Sequence, residues 1–215
     1  MKLFRSKNTD SFGQREKQCG TVSAHDALLK VKEGKTKCTD VLFEAIENYH
    51  YASTIRALVC AGADVNRRNK EGKTPLHLAC EKGLQSVVVI LLDSGANMSI
   101  QDYEFGYSSL HAAAKSHSDN PEIIRILIGN LPPGVVGRRM INCRDFHGET
   151  PLMLAAIRNN AAIVSTLLKN GSDFTLRDRF GRSALDCAEN MQNGPVCRIL
   201  RKLYNEKILG RRATP

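Results

Sequence analysis

No run in this chain approaches the roughly twenty apolar residues that a membrane-spanning helix requires, so a transmembrane segment is not expected. The N-terminal stretch MKLFRSKNTDSFGQREKQ is basic but has no apolar core behind it, which argues against a secretory signal. Both absences predict a cytoplasmic or nuclear location. The seven cysteines (Cys19, Cys38, Cys60, Cys80, Cys143, Cys187 and Cys197) include no CxxC pair and no Cys–His spacing of a zinc module. An odd count without an export signal also argues against a disulfide framework. The thiols are read as reduced fillers of small core slots. Phosphate-binding glycine loops, nucleophile elbows, zinc-protease helices and calcium loops are missing as well. The sequence therefore predicts no enzyme, no cofactor, no metal and no small-molecule substrate.

Acidic residues are in deficit, 22 against 31 lysines and arginines, for a net charge of +9. Such a balance raises the question of nucleic acid, and its distribution answers it. Residues 1–36 carry eight basic and four acidic side chains, and residues 178–215 the same numbers. The middle, 37–177, is nearly balanced, with fifteen and fourteen. A groove-binding protein concentrates its charge on one folded face, whereas here it lies at the two ends. Nucleic acid is not the expected partner, although basic ends could tether the chain to nucleic acid or to acidic lipid.

What the sequence does contain is a repeat. Four segments share a turn-and-helix phrase: NKEGKTPLHLAC (69–80), DYEFGYSSLHAAA (102–114), DFHGETPLMLAA (145–156) and DRFGRSALDCAE (178–189). A second apolar run follows each. The marker glycines fall at Gly72, Gly106, Gly148 and Gly181, so the intervals are regular except in the middle, where about nine residues are inserted. A degenerate earlier copy, 40–66, ends in the related phrase GADVN.

These phrases resemble ankyrin repeats over roughly residues 38–205, as about four complete units behind a degenerate first one. The resemblance implies an all-α solenoid of stacked helix-turn-helix units with short β-hairpin-like fingers. It places repeats at about 37–68, 69–101, 102–144, 145–177 and 178–205, with an inserted loop at 131–140. Residues 1–36 are read as a basic, mostly flexible segment with a short helix over 23–33, and 206–215 as a basic tail. SSLH and SALD depart from the TPLH phrase, in the third and fifth repeats. His77 and His111, in the LH position, are implied to be structural rings rather than metal ligands, because Met153 and Asp186 stand at that position later on.

Elementary chemistry supports the same architecture. Thr74 can cap a helix that Pro75 opens, since the first turn needs no amide hydrogen from proline. Leu76, Leu78 and Ala79 then make one apolar stripe, and Val88, Leu91 and Leu92 a second at helical spacing. Neither stripe can be buried within one unit, so stacking must supply the core. In the last unit Val196, Ile199, Leu200 and Leu203 form a stripe whose opposite side carries Arg198, Arg201 and Lys202, as a solvated end requires.

Seven phenylalanines and five tyrosines are the only aromatics in the chain, and five of these twelve sit in finger turns: Tyr103, Phe105, Tyr107, Phe146 and Phe180. Turns ordinarily select polar residues and glycine. The excess has two readings, anchors for a partner protein or rings folded back onto neighbouring fingers. Arg67, Arg68, Lys70 and Lys73 give the first finger a basic character, and His147 accompanies Phe146. The family resemblance implies a non-catalytic adaptor or scaffold, monomeric, that binds a partner protein through the fingers and the concave face of repeats 2 to 4. A reading closer to the inhibitor-of-kappa-B family rests only on repeat number and the insertion, without a DSGxxS phrase or an acidic tail. Two candidate modification sites complete the inventory. Asn66 closes LVCAGADVN, a phrase similar to the substrates of the asparaginyl hydroxylase that acts on ankyrin repeats. Thr214 follows Arg211 and Arg212 in a basophilic-kinase pattern.

Overall fold

The computed structural model describes residues 38–49, 52–116 and 120–212, with side chains to 206. The expectations for 1–36 and for Thr214 lie outside these residues. The described residues form 11 helices and no strand, and the chain divides into two units, Met1–Arg67 and Arg68–Pro215.

The first unit holds α1 (Cys38–Glu47) and α2 (Ala52–Cys60). Leu42, Ile46, Ile55 and Leu58 are fully buried between them. The closing loop is tied back to the start of α1, where the Asp64 amide donates to Thr39 Oγ1 at 3.1 Å and Arg67 pairs with Asp40 at 3.2 Å. The degenerate first copy is thus a helix hairpin with the same pattern of stripes and without the TPLH cap.

The second unit stacks four helix pairs: α3 (Pro75–Glu81) with α4 (Gln85–Asp93), α5 (Ser109–Lys115) with α6 (Glu122–Gly129), α8 (Pro151–Ile157) with α9 (Ala161–Lys169), and α10 (Ala184–Asn190) with α11 (Gly194–Arg212). The first helices pack in series, α3 on α5 on α8 on α10, and the second helices α4, α6, α9 and α11 make a parallel layer. Ala79, Ala114, Ala155, Ala156 and Ala188 are completely buried in the first layer. Side chains this small let consecutive helices approach closely. Branched residues fill the space between layers: Val88, Leu91, Ile124, Leu127, Val164 and Leu167 are all inaccessible to solvent.

Each first helix starts on a hydroxyl. Thr74, Ser108, Thr150 and Ser183 occupy the N-cap in extended backbone, and proline follows the two threonines. The histidines close the cap from the other side. The Thr74 amide donates to His77 Nδ1 at 3.2 Å and the Ser108 amide to His111 Nδ1, also at 3.2 Å. With Nδ1 accepting, Nε2 carries the proton, and it donates to the next finger: His77 to the Tyr107 carbonyl at 2.9 Å, His111 to the Glu149 carbonyl at 3.1 Å. The structural reading of both rings is what the geometry shows. In the last repeat Asp186 Oδ2 accepts from the Ser183 amide at 2.7 Å, which supplies the local half of the histidine's role. No further finger follows among the described residues, so the long-range half has no target there. We expect His77→Ala to lower unfolding free energy by about 1–2 kcal/mol, because a buried carbonyl and a cap amide lose their partner. Denaturant titration checks this, and an unchanged midpoint would make the ring dispensable.

Two expectations are corrected. Residues 131–140 do not form a plain loop, since a seven-residue helix, α7 (Val135–Ile141), lies in the insertion. The two prolines precede this helix rather than interrupt it, and buried Ile141 anchors its last turn. The segment read as a tail from 206 continues α11 to Arg212.

Candidate functional site

Every finger in the second unit is built on one Asx side chain that gathers the turn's amides. Asn69 Oδ1 accepts from Glu71 and Lys73 at 3.0 and 2.9 Å. Asp145 Oδ1 accepts from His147 and Glu149 at 2.9 and 2.8 Å, and Asp178 Oδ1 from Phe180 and Arg182, both at 2.8 Å. Finger 3 is one residue longer before its glycine, and Asp102 Oδ1 there gathers three amides, those of Phe105, Gly106 and Tyr107. Competition between such side chains and regular backbone pairing is what makes Asx residues turn formers.

Successive fingers are joined by single backbone bonds: Tyr103 donates to the Glu71 carbonyl at 3.0 Å, Phe146 to that of Phe105 at 2.8 Å and Arg179 to that of His147 at 2.9 Å. The residue after each aspartate therefore lies over the glycine of the preceding finger. Tyr103 covers Gly72 and Phe146 covers Gly106 so closely that a Cβ on either glycine would come within 2.4 Å and 2.6 Å of the ring above it. Both glycines also have positive φ, +79° and +75°, where L side chains are strained. Neither position has room for alanine.

The finger aromatics divide between buried and exposed rings. Tyr107 is buried, stacked on Phe105 with centroids 5.0 Å apart and on His111 at 5.7 Å. Burial pushes its hydroxyl up to about 12. Its assignment as a partner contact is corrected on that ground: it stands directly after the finger glycine, where Lys73, Glu149 and Arg182 stand in the other fingers, a position that is buried or half-buried in every one of them. Phe105 is half-buried, with the Lys115 ammonium 4.9 Å from its centroid. Tyr103, Phe146 and Phe180 keep 60%, 47% and 70% of their surface exposed, enough to meet another molecule. Arg68 lies over Tyr103 and Arg182 over Phe180, each at 5.0 Å. His147 is exposed at the tip beside Phe146.

The four basic residues of the first finger region are engaged differently. Arg67 belongs to the first unit and its pair with Asp40. Lys73 sits between Glu71 Oε2 at 3.1 Å and Glu81 Oε1 at 3.2 Å. Burial there works against its charge, and the two carboxylates outweigh it, so its pKa is raised. Arg68 and Lys70 remain on the surface.

One electrostatic feature was not anticipated. Asp178 Oδ2 is met by Arg182 Nε at 2.7 Å, whose Nη2 also reaches Glu149 Oε1 at 3.1 Å. In finger 4 the position equivalent to Arg182 is held by Glu149, and Asp145 Oδ2 is left buried without a partner. Burial pushes both carboxyls up, and the neighbouring Asp145 raises Glu149 further. The alternation of Arg182 with Glu149 at one repeat position was visible in the sequence, though its meaning required the finger geometry.

The cysteines divide by environment: Cys80, Cys187 and Cys197 are buried, Cys38 and Cys143 partly so, and Cys60 is exposed. The core-filler reading therefore holds for the first three and fails for Cys60. Burial pushes the Cys143 and Cys187 thiols up to about 11, away from the thiolate that reactivity requires. Among the described residues no group of histidine, cysteine or carboxylate side chains is arranged to hold a metal. No helix among them is long and apolar enough to cross a membrane.

Comparison with known proteins bears on this arrangement. A family model described as ankyrin repeats matches residues 42–135 and 110–209. The chain is 32% identical over 152 residues to neurogenic locus notch homolog protein 1 of Xenopus laevis, covering 70% of this chain and 6% of that protein. It is 33% identical over 145 residues to inversin of Canis lupus familiaris, covering 67% of this chain and 13% of inversin. It is 31% identical over 181 residues to rabankyrin-5 of Mus musculus, covering 78% of this chain and 14% of that protein. The chain thus spans a small part of the length of the relatives it matches.

Proposed function

Because this chain belongs to the ankyrin-repeat family, whose repeats are protein-interaction modules, we propose that it is a non-catalytic adaptor or scaffold of the cytoplasm or nucleus. It binds a partner protein along the fingers of repeats 3 to 5 and the adjoining first helices. The observation that carries this reading is the row Tyr103, Phe146 and Phe180. These are three exposed rings at successive fingers, each set on a turn whose backbone is fixed by an Asx side chain and by a bond to a neighbouring finger. Rigid aromatics that lose little freedom on contact are good anchors for a partner, and burying them costs little entropy because the fingers are already ordered. The guanidiniums of Arg68 and Arg182 stack on two of the rings and add charged contacts at the edge. Affinity purification with the wild-type chain against a Tyr103→Ala/Phe146→Ala/Phe180→Ala variant tests the proposal. Partners captured equally by both forms would remove it.

Asn66 remains a proposed modification site. It follows Asp64 in an Asx turn, with its own amide donating to Asp64 Oδ1 at 2.9 Å, and is partly exposed. Incubation with the ankyrin-directed asparaginyl hydroxylase is expected to add one oxygen, located at Asn66 by peptide mass mapping. An unmodified peptide would rule the site out.

A further inference from the structure

We propose that the inserted helix α7 frames a second docking groove, separate from the finger row, that takes an acidic segment of a partner protein carrying apolar residues. The groove has a cavity volume of about 420 Å³ and lies between α7 and the stretch leading from α9 to finger 5. Arg138 and Arg139 of α7 and Arg144 at the base of finger 4 line it, against one carboxylate, Asp173. Among the described residues neither Arg138 nor Arg139 has an ion-pair partner. Asp173 holds its Oδ1 toward the amide and hydroxyl of Thr175 at 2.9 and 2.6 Å, and its single charge is outnumbered by the three guanidiniums.

The walls are held in place. Asn142 Oδ1 accepts from the Asp173 amide at 2.8 Å, and Arg144 Nη1 donates to the Arg177 carbonyl at 2.9 Å, each bond crossing from one side of the groove to the other. Within the insertion Gly137 is buried where a Cβ would lie 2.1 Å from the Pro132 carbonyl oxygen, and Ile141 is 2% exposed. The insertion is therefore a folded, anchored element. Yet the same helix leaves Val135 and Val136 63% and 56% exposed, with Val135 and Leu176 in the groove lining beside the arginines. Folding explains Gly137 and Ile141. It does not explain two exposed valines beside two unpaired guanidiniums.

Charge complementarity identifies the occupant. Three guanidiniums against one engaged carboxylate favour an anionic ligand, since forked donors suit carboxylates and phosphates alike. The apolar lip distinguishes an acidic peptide with leucine-like side chains from a nucleic-acid backbone, which would gain nothing from Val135 and Val136. A fluorescein-labelled synthetic peptide rich in aspartate and glutamate around two leucines serves as the probe, with fluorescence anisotropy on the full chain as the readout. The peptide is expected to bind. Arg138→Glu/Arg139→Glu is expected to weaken it at least about tenfold, Val135→Ser/Val136→Ser to weaken it by a smaller factor, and Phe146→Ala/Phe180→Ala to leave it unchanged. The melting temperature of each variant is measured alongside, and Arg138→Gln/Arg139→Gln repeats the test without charge reversal. Three results would overturn the proposal: no binding to the wild-type chain, equal binding by the arginine variants, or tighter binding of a DNA duplex that the arginine variants abolish. The finger-row variants separate this groove from the adaptor reading, since either surface can fail while the other stands.

Discussion

Replacing His111 with alanine lowers the unfolding free energy by about 3 kcal/mol at neutral pH. The ring is wholly inaccessible to solvent, and its removal strands the Glu149 carbonyl and the Ser108 amide while opening a void beneath Tyr107. Its pH dependence is equally specific. In the unfolded chain the imidazole titrates near 6.5, and burial draws the folded value down to about 4 despite the carbonyls of Glu149 and Cys143 and the charge of Asp102, with His77 adding to the depression. Between those values the unfolded chain binds the proton and the folded chain does not, so stability increases with pH across that window. The contribution of the neutral ring is complete above about 6.5 and is lost as pH falls toward 4, by about 3 kcal/mol in total. Asp145 and Glu149 act in the opposite direction in the carboxylate range, since their folded values are raised. Comparing wild type with His111→Ala at each pH removes most of their effect. Urea unfolding of both forms between pH 7 and pH 4 is the measurement, and the gap between them should shrink as the pH falls. A gap that stays constant would mean that the ring is not buried in its neutral form.

The second large effect is on binding. Phe146→Ala with Phe180→Ala is expected to weaken the partner complex by about 2 kcal/mol or more, roughly thirtyfold. The same pair should change folding stability far less, by about 1 kcal/mol or below, because both rings contact fingers rather than the layered core. Removing residues 1–20 and 206–215 should leave binding intact. If the basic ends carry the interaction instead, the aromatic variants bind normally and the truncation abolishes it. Titration calorimetry with the purified partner, alongside thermal melts, separates the two cases.

The repeat array was legible because the phrases recur in phase and each phrase holds its own cap, stripe and turn. Even the departures could be read locally: SALD still caps, since Asp186 reaches the Ser183 amide. Finger 3 was harder. Its extra residue is visible as the spacing from Asp102 to Gly106, but that Tyr107 faces His111 while Tyr103 faces outward is not, because spacing alone carries no direction. The insertion departs from its loop-like sequence for a different reason. Pro132, Pro133 and Gly134 signal a break, and the break is real, but it precedes α7. Gly137 inside that helix answers a close approach to the Pro132 carbonyl, a contact between residues that only the folded path brings together. The orphaned oxygen of Asp145 follows from Glu149 standing in its own finger where Arg182 stands beside Asp178, a substitution the sequence shows but whose effect only the finger geometry reveals.

The histidine bonds from one repeat to the next finger have a consequence for cooperativity. Repeats 2 to 3 and 3 to 4 are coupled by neutral donors buried out of reach of ions. At the 4-to-5 boundary Met153 cannot make that bond, and coupling passes to the partly solvated Arg182–Glu149 contact and to Asn193, which donates to the Ala156 carbonyl at 2.7 Å. In a linear array whose stability is a sum over joints, joints of different chemistry respond to different solvents. Protons act on the inner joints and dissolved salt on the outer one. The joint to the C-terminal repeat is therefore expected to be the salt-sensitive one, and the two inner joints the pH-sensitive ones.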